Sequence, residues 1–330
     1  MNGISGLHHV TAIAGDPQRN VDFYVGFLGL RLVKLTVNFD DPETYHLYYG
    51  DGIGHPGTIM TFFPWPDALR GRLGTGQLTT TSFSIPEGAV DFWVSRLKER
   101  RIPFEGPTRG RAEEETLAFL DPDGLNLELV AHAGAEGREG WEEGPVPHEH
   151  AIRGFQRVTL TEEGYESTAG LLTKTLGFRH AGEDGGVFRY EVGDGGAGAL
   201  VDVKCRPASP RGVVSVGTVH HLAWRTPDEE QQKLWRAELA KAGLNVTPII
   251  DRQYFHSIYF REPGGVLFEI ATDPPGFTVD ESRQELGGSL KLPPWLEPIR
   301  QHLEHTLPAI RLPEVTDALR SWPGSGPGGT

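Results

Sequence analysis

Cysteine is nearly absent from this sequence, which has one, Cys205, among its 330 residues. A single thiol cannot pair within the chain, so no internal disulfide framework can stabilise the fold. Chains without disulfides are typical of reducing compartments. We therefore expect the protein to be cytoplasmic.

Long apolar runs and an excess of basic residues are missing as well. No stretch approaches the about 20 apolar residues of a membrane-spanning helix, and Met1–Ser5 lacks the basic and apolar segments of a secretory signal. The formal net charge is −14, with 31 Lys and Arg against 45 Asp and Glu. Because nucleic acids attract clustered Lys and Arg, we expect neither a nucleic-acid nor a membrane partner.

The composition that is present is that of an ordinary folded protein. Hydrophobic residues make up 38% and charged residues 23% of the chain. A length of 330 residues suffices for about two domains, each with its own core. These features are compatible with a homo-oligomer but do not define an oligomeric state.

One local pattern occurs four times along the chain: a strand, a helix, and then two or three strands. The first helix is marked by Asp16 as N-cap, Pro17 at the first helical position and Gly29 just beyond its end. The predicted first strands are His8–Ile13, Thr79–Ile85, Phe155–Thr161 and Val219–Arg225, with helices over residues 17–28, 88–101, 165–176 and 228–242. The other predicted strands are Arg31–Val37, Tyr45–Tyr49, Thr58–Phe63, Glu115–Leu120, Leu125–Ala131, Val187–Val192, Ala199–Cys205, Thr247–Ile250, Ser257–Arg261 and Val266–Ala271.

A matching pair of segments supports a duplication. Asp121–Leu129 aligns with Glu262–Ile270, and in both a proline stands six positions before a glutamate. We therefore predict an α+β protein of four small modules. The polar stretch Gly134–Pro147 is typical of a linker. It divides the chain into a pair of modules at 1–140, a second pair at 150–290, and an extension at 291–330 whose end we expect to be disordered.

Two His-His pairs stand at matching places in the first and fourth modules, His8-His9 and His220-His221. Neighbouring side chains of a strand point to opposite faces, so one histidine of each pair is available to a shared site. Glu269 lies in an otherwise apolar run of the fourth module. Two imidazoles and one carboxylate form the facial set that binds Fe(II) and leaves positions open for substrate and dioxygen. The site requires the first and fourth modules to meet.

Glu128 is the counterpart of Glu269 in the second module, but no histidine accompanies it. The first strands of the second and third modules begin Thr79–Phe83 and Phe155–Thr159, without an imidazole. We therefore expect Glu128 to be an exposed or hydrogen-bonded carboxylate and not a metal ligand. The sequence leaves the role of His46 open.

These residues resemble a known family. The chain is similar to the vicinal oxygen chelate superfamily of glyoxalase I, antibiotic-resistance proteins and extradiol dioxygenases, and more narrowly to hydroquinone-cleaving dioxygenases of the chlorohydroquinone 1,2-dioxygenase type. The resemblance implies four βαβββ modules that form two glyoxalase/extradiol-dioxygenase-like domains. The segments that carry it are Leu7–Thr11, Tyr45–Tyr49, Pro56–Thr61, Glu149–Phe155, Val219–His221 and Pro263–Glu269.

The resemblance also selects residues for the site. It implies that the metal ligands are His9, His221 and Glu269, the histidines being the second of each pair. It places His8, Thr11 and His220 around the substrate, with proton transfer as the role of the two histidines. Each of the three, taken alone, is equally suited to orienting a ligand.

Tyr259 and Arg252 are the further candidates for catalysis and substrate binding. Extradiol catechol dioxygenases resemble this chain in having a tyrosine ten residues before the glutamate, and its hydroxyl would bond the substrate phenolate. Where those enzymes have an acid–base histidine, this chain has Ile250, with Arg252 nearby to stabilise negative charge. This difference favours hydroquinone over catechol cleavage, although His256 remains a candidate base.

The first module indicates which type of reaction the predicted metal would support. Glyoxalase-type enzymes use a second glutamate, and aligning Pro56 with Pro263 places Phe62 opposite Glu269. We therefore predict an Fe(II)-dependent ring-cleaving dioxygenase that acts on a small hydroquinone-like or catechol-like aromatic and O2, with Mn(II) compatible with the same ligands. The alternatives are a glyoxalase-like metal-dependent lyase or isomerase and a non-catalytic aromatic-binding resistance protein.

Overall fold

The computed structural model describes residues 3–110 and 114–312. The strands are β1 (Leu7–Ala14), β2 (Arg31–Asn38), β3 (Asp41–Gly50), β4 (Ile59–Pro64), β5 (Gln77–Ile85), β6 (Phe104–Arg109), β7 (Glu115–Leu120), β8 (Asn126–Ala131), β9 (Phe155–Glu162), β10 (Arg179–Asp184), β11 (Val187–Glu191), β12 (Leu200–Cys205), β13 (Thr218–Thr226), β14 (Ile250–Asp251), β15 (Phe255–Arg261) and β16 (Leu267–Pro275). The α-helices are α1 (Pro17–Val21), α2 (Val90–Glu99), α3 (Glu166–Lys174), α4 (Glu229–Lys241) and α5 (Arg300–Thr306).

Each of the four modules has the order βαβββ, as predicted. The prediction from the residue pattern missed two strands, β6 and β10, and placed β14 a few residues too early. Both missed strands lie at a sheet edge and are largely exposed on both faces. An exposed edge strand has no buried side, so it lacks the alternation of apolar and polar residues from which a strand is predicted.

The first helix begins where predicted and then changes its winding. Asp16 accepts a hydrogen bond at Oδ1 from the Arg19 amide, 2.7 Å away, and Pro17 is the first helical residue. After α1 the chain continues as a π-helical segment, Asp22–Phe27. Gly29 follows with φ of +73°, a conformation that glycine adopts without strain.

The modules associate across the two halves of the chain. The first and fourth modules form one eight-stranded sheet, in the order β14-β15-β16-β13-β1-β4-β3-β2. The second and third form the other, in the order β10-β11-β12-β9-β5-β8-β7-β6. Antiparallel pairs β1–β13 and β5–β9 join the modules, which removes four strand edges from solvent. The predicted division of the chain into 1–140, 150–290 and 291–330 stays a prediction. Each sheet combines one module from residues 1–140 with one from residues 150–290.

A second, smaller apolar cluster fills part of the inner face of the first sheet. It joins Tyr48 and Phe255 to Phe277 and Leu286 from the segment after β16. Lys34, fully buried, forms ion pairs with Asp280 and Glu281 of that segment. The segment therefore closes one end of the curved sheet and leaves the other end open.

The predicted linker and extension both pack against the rest of the protein. Ala135 and Val146 of the linker are buried, and so are Leu303 and Leu307 at α5. The disorder predicted for the end of the chain concerns residues outside those that the structure describes. Within residues 3–110 and 114–312, no helix is long and apolar enough to cross a membrane.

Candidate metal centre

Three strands of the first sheet bring His9, His221 and Glu269 together. His9 of β1 stands opposite Ala223 of β13, and Ala223 stands opposite Glu269 of β16. The Nε2 atoms of the two histidines are 3.3 Å apart, and they lie 3.3 Å and 3.0 Å from Oε2 of Glu269. Ligand atoms about 2.1 Å from one ion and at right angles around it are about 3 Å apart. The three atoms therefore suit a single shared cation.

The first histidine of each pair orients the second. Nδ1 of His8 lies 2.8 Å from Nδ1 of His9, and the same atoms of His220 and His221 are also 2.8 Å apart. A ring held at Nδ1 presents its Nε2 atom to the site, which is how histidine ligands are usually oriented. Both pairs thus have the same arrangement on opposite sides of the site.

Glu269 is buried in a form that suits cation binding. Oε1 accepts a hydrogen bond from the Ser257 hydroxyl, whereas Oε2 has no donor in hydrogen-bonding geometry among the described residues. Burial alone would raise the pKa of Glu269, but His9 and His221 outweigh it and hold this pKa well below its usual range. Burial also lowers the pKa of His221. An ionised carboxylate beside neutral imidazoles is the donor set that a divalent metal requires, so the residues fit the predicted metal.

A cavity of about 300 Å³ opens beside the three residues. Its volume is at the lower end for ligand sites. Most of its wall comes from aromatic rings and from two edges of the curved sheet. The lining residues are His9, Asn38, Phe39, Asp40, His46, Tyr48, Phe63, Trp65, His220, His221, Arg252, Phe255, Tyr259 and Leu267.

Tyr259 and Arg252, the two residues predicted to take part in catalysis and substrate binding, both line this cavity. Tyr259 stands opposite Glu269 in the sheet, and Nε of Arg252 lies 3.3 Å from the Tyr259 hydroxyl. Burial, followed by the charge of Glu269, raises the pKa of Tyr259, so the side chain stays a neutral donor. Arg252 also contacts Asp40, with Nη2 and Oδ2 2.9 Å apart, across the mouth of the cavity.

Of the other predicted site residues, some line the cavity and others do not. His220 lines the cavity, and burial together with His221 lowers its pKa to about 3. His8 lies behind His9, with Nε2 3.1 Å from the Thr272 carbonyl oxygen, and Thr11 is fully buried. His256 points away from the cavity, where Nδ1 lies 3.0 Å from Glu229 of α4. The candidate base is therefore outside the site.

The prediction about the first module was wrong by one residue. Glu269 pairs with Ala223, which stands two positions after His221. In the first module the equivalent residue, two positions after His9, is Thr11, and its partner is Thr61 and not Phe62. Phe62 is buried on the other face, where its ring packs against Tyr24. The proline alignment misplaced the position because the loops before β4 and β16 differ in shape. The inference that no second carboxylate is present still holds, since Thr61 has none.

Ser257 and Phe255 are among the residues of the site that the sequence analysis did not name, and it left the role of His46 open. Ser257 and Phe255 stand two and four positions before Tyr259 on β15, and strand alternation would have placed both on its face. The ring of Phe255 packs 5.0 Å from that of His9. His46 carries no such signal, because its position in the site depends on the curvature of the whole sheet.

The second sheet has an arginine where the first has His9. Arg157 stands opposite Ser82, which stands opposite Glu128, the same relation as His9, Ala223 and Glu269. Nη2 of Arg157 lies 3.1 Å from Glu128, and Ser82 donates a hydrogen bond of 2.6 Å to the same carboxylate. Glu128 is thus hydrogen-bonded and ion-paired, as predicted, and no metal cluster includes it among the residues described.

Comparison with known proteins agrees with this architecture. The pattern of the Glyoxalase/Bleomycin resistance protein/Dioxygenase superfamily matches residues 6–129 and 154–270. A Bacillus subtilis protein named as a candidate ring-cleaving dioxygenase, MhqO, is 47% identical over 310 residues, 94% of this chain and 98% of the relative. The chlorohydroquinone/hydroquinone 1,2-dioxygenase of Sphingobium indicum is 36% identical over 312 residues, 92% of this chain and 96% of the relative.

A solved structure extends the agreement to the fold. The crystal structure of a candidate dioxygenase from Bacillus subtilis superimposes with a TM-score of 0.88 at 46% identity, covering 94% of this chain and 99% of that one. The matched residues contain all four modules and the three residues of the candidate metal centre. This chain belongs to the Glyoxalase/Bleomycin resistance protein/Dioxygenase superfamily.

Proposed function

We propose that the protein is an Fe(II)-dependent ring-cleaving dioxygenase for a hydroquinone-like aromatic. The observation that carries the proposal is the convergence of His9, His221 and Glu269 beside a small cavity lined with aromatic rings. The names of the relatives agree with it, since one is a chlorohydroquinone/hydroquinone 1,2-dioxygenase. Mn(II) suits the same donors. The single cysteine favours the cytoplasm as its location.

The donor set explains why a metal would be useful here. Nε2 of His9, Nε2 of His221 and Oε2 of Glu269 would hold the ion. When bound, such an ion acidifies a coordinated phenol and brings it next to dioxygen. The fourth protein position, which a glyoxalase-type site fills with a carboxylate, is Thr61. Three protein ligands leave more positions open, which favours an oxygen-dependent reaction over isomerisation.

Arg252 and Tyr259 are suited to receive a substrate anion. Arg252 keeps its positive charge, because the influence of Tyr259 and Asp40 on its pKa outweighs burial. Tyr259 is a neutral hydroxyl that accepts a hydrogen bond from Nε of Arg252 and has its own hydrogen to donate to a substrate oxygen. A phenolate oxygen between these groups and the metal centre would be stabilised by preorganised donors in a site with little water.

The histidines next to the ligands have different roles in this proposal. His220 is neutral and faces the cavity. When Nε2 of His221 binds the metal, Nδ1 of His220 accepts from Nδ1–H of His221, so Nε2–H of His220 would donate a hydrogen bond to a substrate oxygen. His8 does not line the cavity, and we assign it to holding His9 through the Nδ1 contact. Thr11, two residues after His9 on the same face of β1, would donate a hydrogen bond to the substrate.

Anaerobic reconstitution followed by oxygen measurement tests the proposal. The protein is loaded with Fe(II) without oxygen, and oxygen uptake is recorded with a panel of hydroquinones and catechols. We expect uptake equal to the substrate consumed, with hydroquinones preferred. Turnover that continues without oxygen or with Zn(II) alone would instead identify a glyoxalase-like enzyme. Tight aromatic binding without any turnover would identify a binding protein.

A further inference from the structure

The tip of the hairpin between β2 and β3 forms part of the cavity wall. Its residues Asn38, Phe39 and Asp40 all line the cavity. The amide of Asp40 donates a hydrogen bond of 3.0 Å to Oδ1 of Asn38. The partly buried ring of Phe39 packs edge-on against Trp295 of the C-terminal extension, with the ring centres 5.7 Å apart. These contacts hold the backbone of Asp40 beside the cavity.

Asp40 and Arg252 form an ion pair across the mouth of the cavity. Oδ2 of Asp40 lies 2.9 Å from Nη2 of Arg252, and their side chains are 72% and 17% exposed. Nε of Arg252 lies 3.3 Å from the hydroxyl of Tyr259, which stands opposite Glu269 in the sheet. From the candidate metal centre to solvent, the side chains therefore follow one another in the order Tyr259, Arg252, Asp40.

The cavity wall contains few permanent charges. Among the lining residues that the structure describes, Asp40 and Arg252 are the only members of the group Asp, Glu, Lys and Arg. Aromatic rings and Leu267 make up most of the rest of the wall, and an apolar wall does not stabilise a buried anion. Apart from the metal centre, Arg252 is therefore the one permanent cation that this wall offers to an anionic ring substituent.

Asp40 already occupies that cation, and the pair leaves the mouth with no net charge. A ring that carries only hydroxyl groups needs no further charge at the mouth. A carboxylate on the same ring would either face Asp40 or displace it from Arg252. In both cases two carboxylates share one guanidinium, and like charges at close range repel each other. A charge placed against an unwanted ligand in this way is a common source of specificity.

We propose that Asp40 is a specificity-determining residue, which makes the cavity select hydroquinones without an acidic substituent over hydroquinones that carry a ring carboxylate. Asp40 does so by keeping Arg252 paired at the mouth of the cavity. This inference rests on the proposed function, because it narrows the substrate class of the same site. Asp40 takes no part in ring cleavage itself.

A matched pair of ligands separates the effect of charge from the effect of shape. Gentisate is hydroquinone with a carboxylate on the ring, and gentisamide is its neutral amide of nearly the same shape. The full chain is loaded with Fe(II) without oxygen, and the Kd for each ligand is measured by calorimetry. The Kd for gentisate divided by the Kd for gentisamide is the charge ratio, from which any effect of shape cancels.

Asp40→Asn keeps the shape of the side chain and removes its charge. The charge ratio should fall by about tenfold, the change expected from one interaction between partly exposed charges. The reason is that Arg252 becomes available to the carboxylate of gentisate. Asp40→Glu keeps the negative charge, and its charge ratio should stay within about threefold of that of the wild type.

The neighbouring residue supplies a matched control. Asp41 is exposed and is not among the residues that line the cavity, and its Oδ2 accepts a hydrogen bond of 2.8 Å from Thr44. Asp41→Asn removes the same charge from the protein and should leave the charge ratio unchanged. If Asp40→Asn does not lower the charge ratio, or if Asp41→Asn lowers it equally, the proposal is wrong.

Oxygen uptake distinguishes this proposal from the proposed function. Uptake with gentisate relative to gentisamide should rise in Asp40→Asn, in parallel with the change in the charge ratio. A wild-type protein that binds both ligands but consumes no oxygen with any hydroquinone would refute the proposed function. The Kd values would still decide the role of Asp40, because they are measured without oxygen.

Discussion

Replacing Glu162 with glutamine should make the protein more stable than the wild type at alkaline pH and change little at acidic pH. Glu162 is fully buried at the end of β9, in the second sheet. Across from it lies Glu262, also buried, in the turn between β15 and β16 of the first sheet. Between them, the Thr168 hydroxyl lies 2.5 Å from Glu162 and 2.7 Å from Glu262.

Counting hydrogens shows which carboxyl group is protonated. One hydroxyl hydrogen cannot serve both contacts, so one carboxyl group must itself donate to Thr168. Glu262 already accepts hydrogen bonds from the amides of Gly264, at 2.8 Å, and Val266, at 2.7 Å, which stabilise its anion. No backbone amide of the described residues donates to the Glu162 carboxyl group, and burial together with Glu262 raises the pKa of Glu162 to about 8. The protonated group is therefore Glu162.

The pH dependence follows from the direction of this shift. An acid whose pKa is raised in the folded protein stabilises the fold most below its unfolded pKa of 4.5, and this stability is lost as the pH rises through about 8. The whole shift corresponds to about 5 kcal/mol. Roughly half of it, about 2 to 3 kcal/mol, falls between pH 6 and pH 9. Glutamine copies the protonated acid, because its amide donates to Thr168 without ionising.

Urea unfolding of the wild type and Glu162→Gln at pH 6 and pH 9 measures the effect. The stability of the variant relative to the wild type should rise by about 2 to 3 kcal/mol between the two values, and titration of groups that do not interact with Glu162 cancels in this comparison. Glu163→Gln, at the exposed neighbouring position, is the control and should show no such rise. If the free energy of unfolding of Glu162→Gln differs from that of the wild type by the same amount at pH 6 and pH 9, the reasoning is wrong.

Three further predictions concern the metal centre and the contacts around it. Glu269→Gln should lose bound iron and oxygen uptake, measured by metal analysis after anaerobic gel filtration, whereas Glu128→Gln should keep both. Lys34→Met should lower the free energy of unfolding by about 3 to 5 kcal/mol in urea, since it leaves the buried Glu281 without its main partner. Asp40→Asn should lower KM for hydroquinone by about twofold to fivefold, because it frees Arg252 from a mostly exposed ion pair, and should change stability by less than about 1 kcal/mol.

Each of these predictions has an outcome that contradicts it. Iron lost from Glu128→Gln would mean that the wrong carboxylate was chosen. A Lys34→Met protein as stable as the wild type would show that the segment after β16 does not depend on this ion pair. An unchanged or higher KM for Asp40→Asn would show that Asp40 does not compete with substrate for Arg252.

Much of the fold was predictable because its elements are locally encoded. Asp16, Pro17 and Gly29 define the first helix by capping, and the central strands β1 and β4 are apolar segments buried along their whole length. The association of the first module with the fourth was inferred from chemistry alone, since one metal needed ligands from both. The exposed strands β6 and β10 were missed, because nothing in their side chains indicates a buried face.

The residues of the candidate site that stand out within a single strand were predictable. Residues whose place in the site depends on how several strands come together were not. His9, His221 and Glu269 stand out through the paired histidines and the isolated glutamate, although the choice within each pair came from the family resemblance. The position equivalent to Glu269 was assigned to Phe62 instead of Thr61. The register of β4 depends on the loop before it, whose length cannot be read from the strand residues. The position of His46 depends on how β3 curves towards β13, a property of the assembled sheet.

The two sheets show how one arrangement of strands supports a site in only one of them. In the second sheet the cation is part of the chain: the guanidinium of Arg157 lies 3.1 Å from Glu114, 3.1 Å from Glu128 and 3.6 Å from Asp202. In the first sheet the counterpart of Asp202 is Thr61, and the counterpart of Arg157 is the imidazole of His9. Among the described residues, Oε2 of Glu269 therefore has two histidines and no arginine or lysine beside it, a setting that suits a bound cation. An acid and an arginine stand in the second sheet where the first has Thr61 and His9, and this difference is what suits the first sheet to the metal ion that we propose.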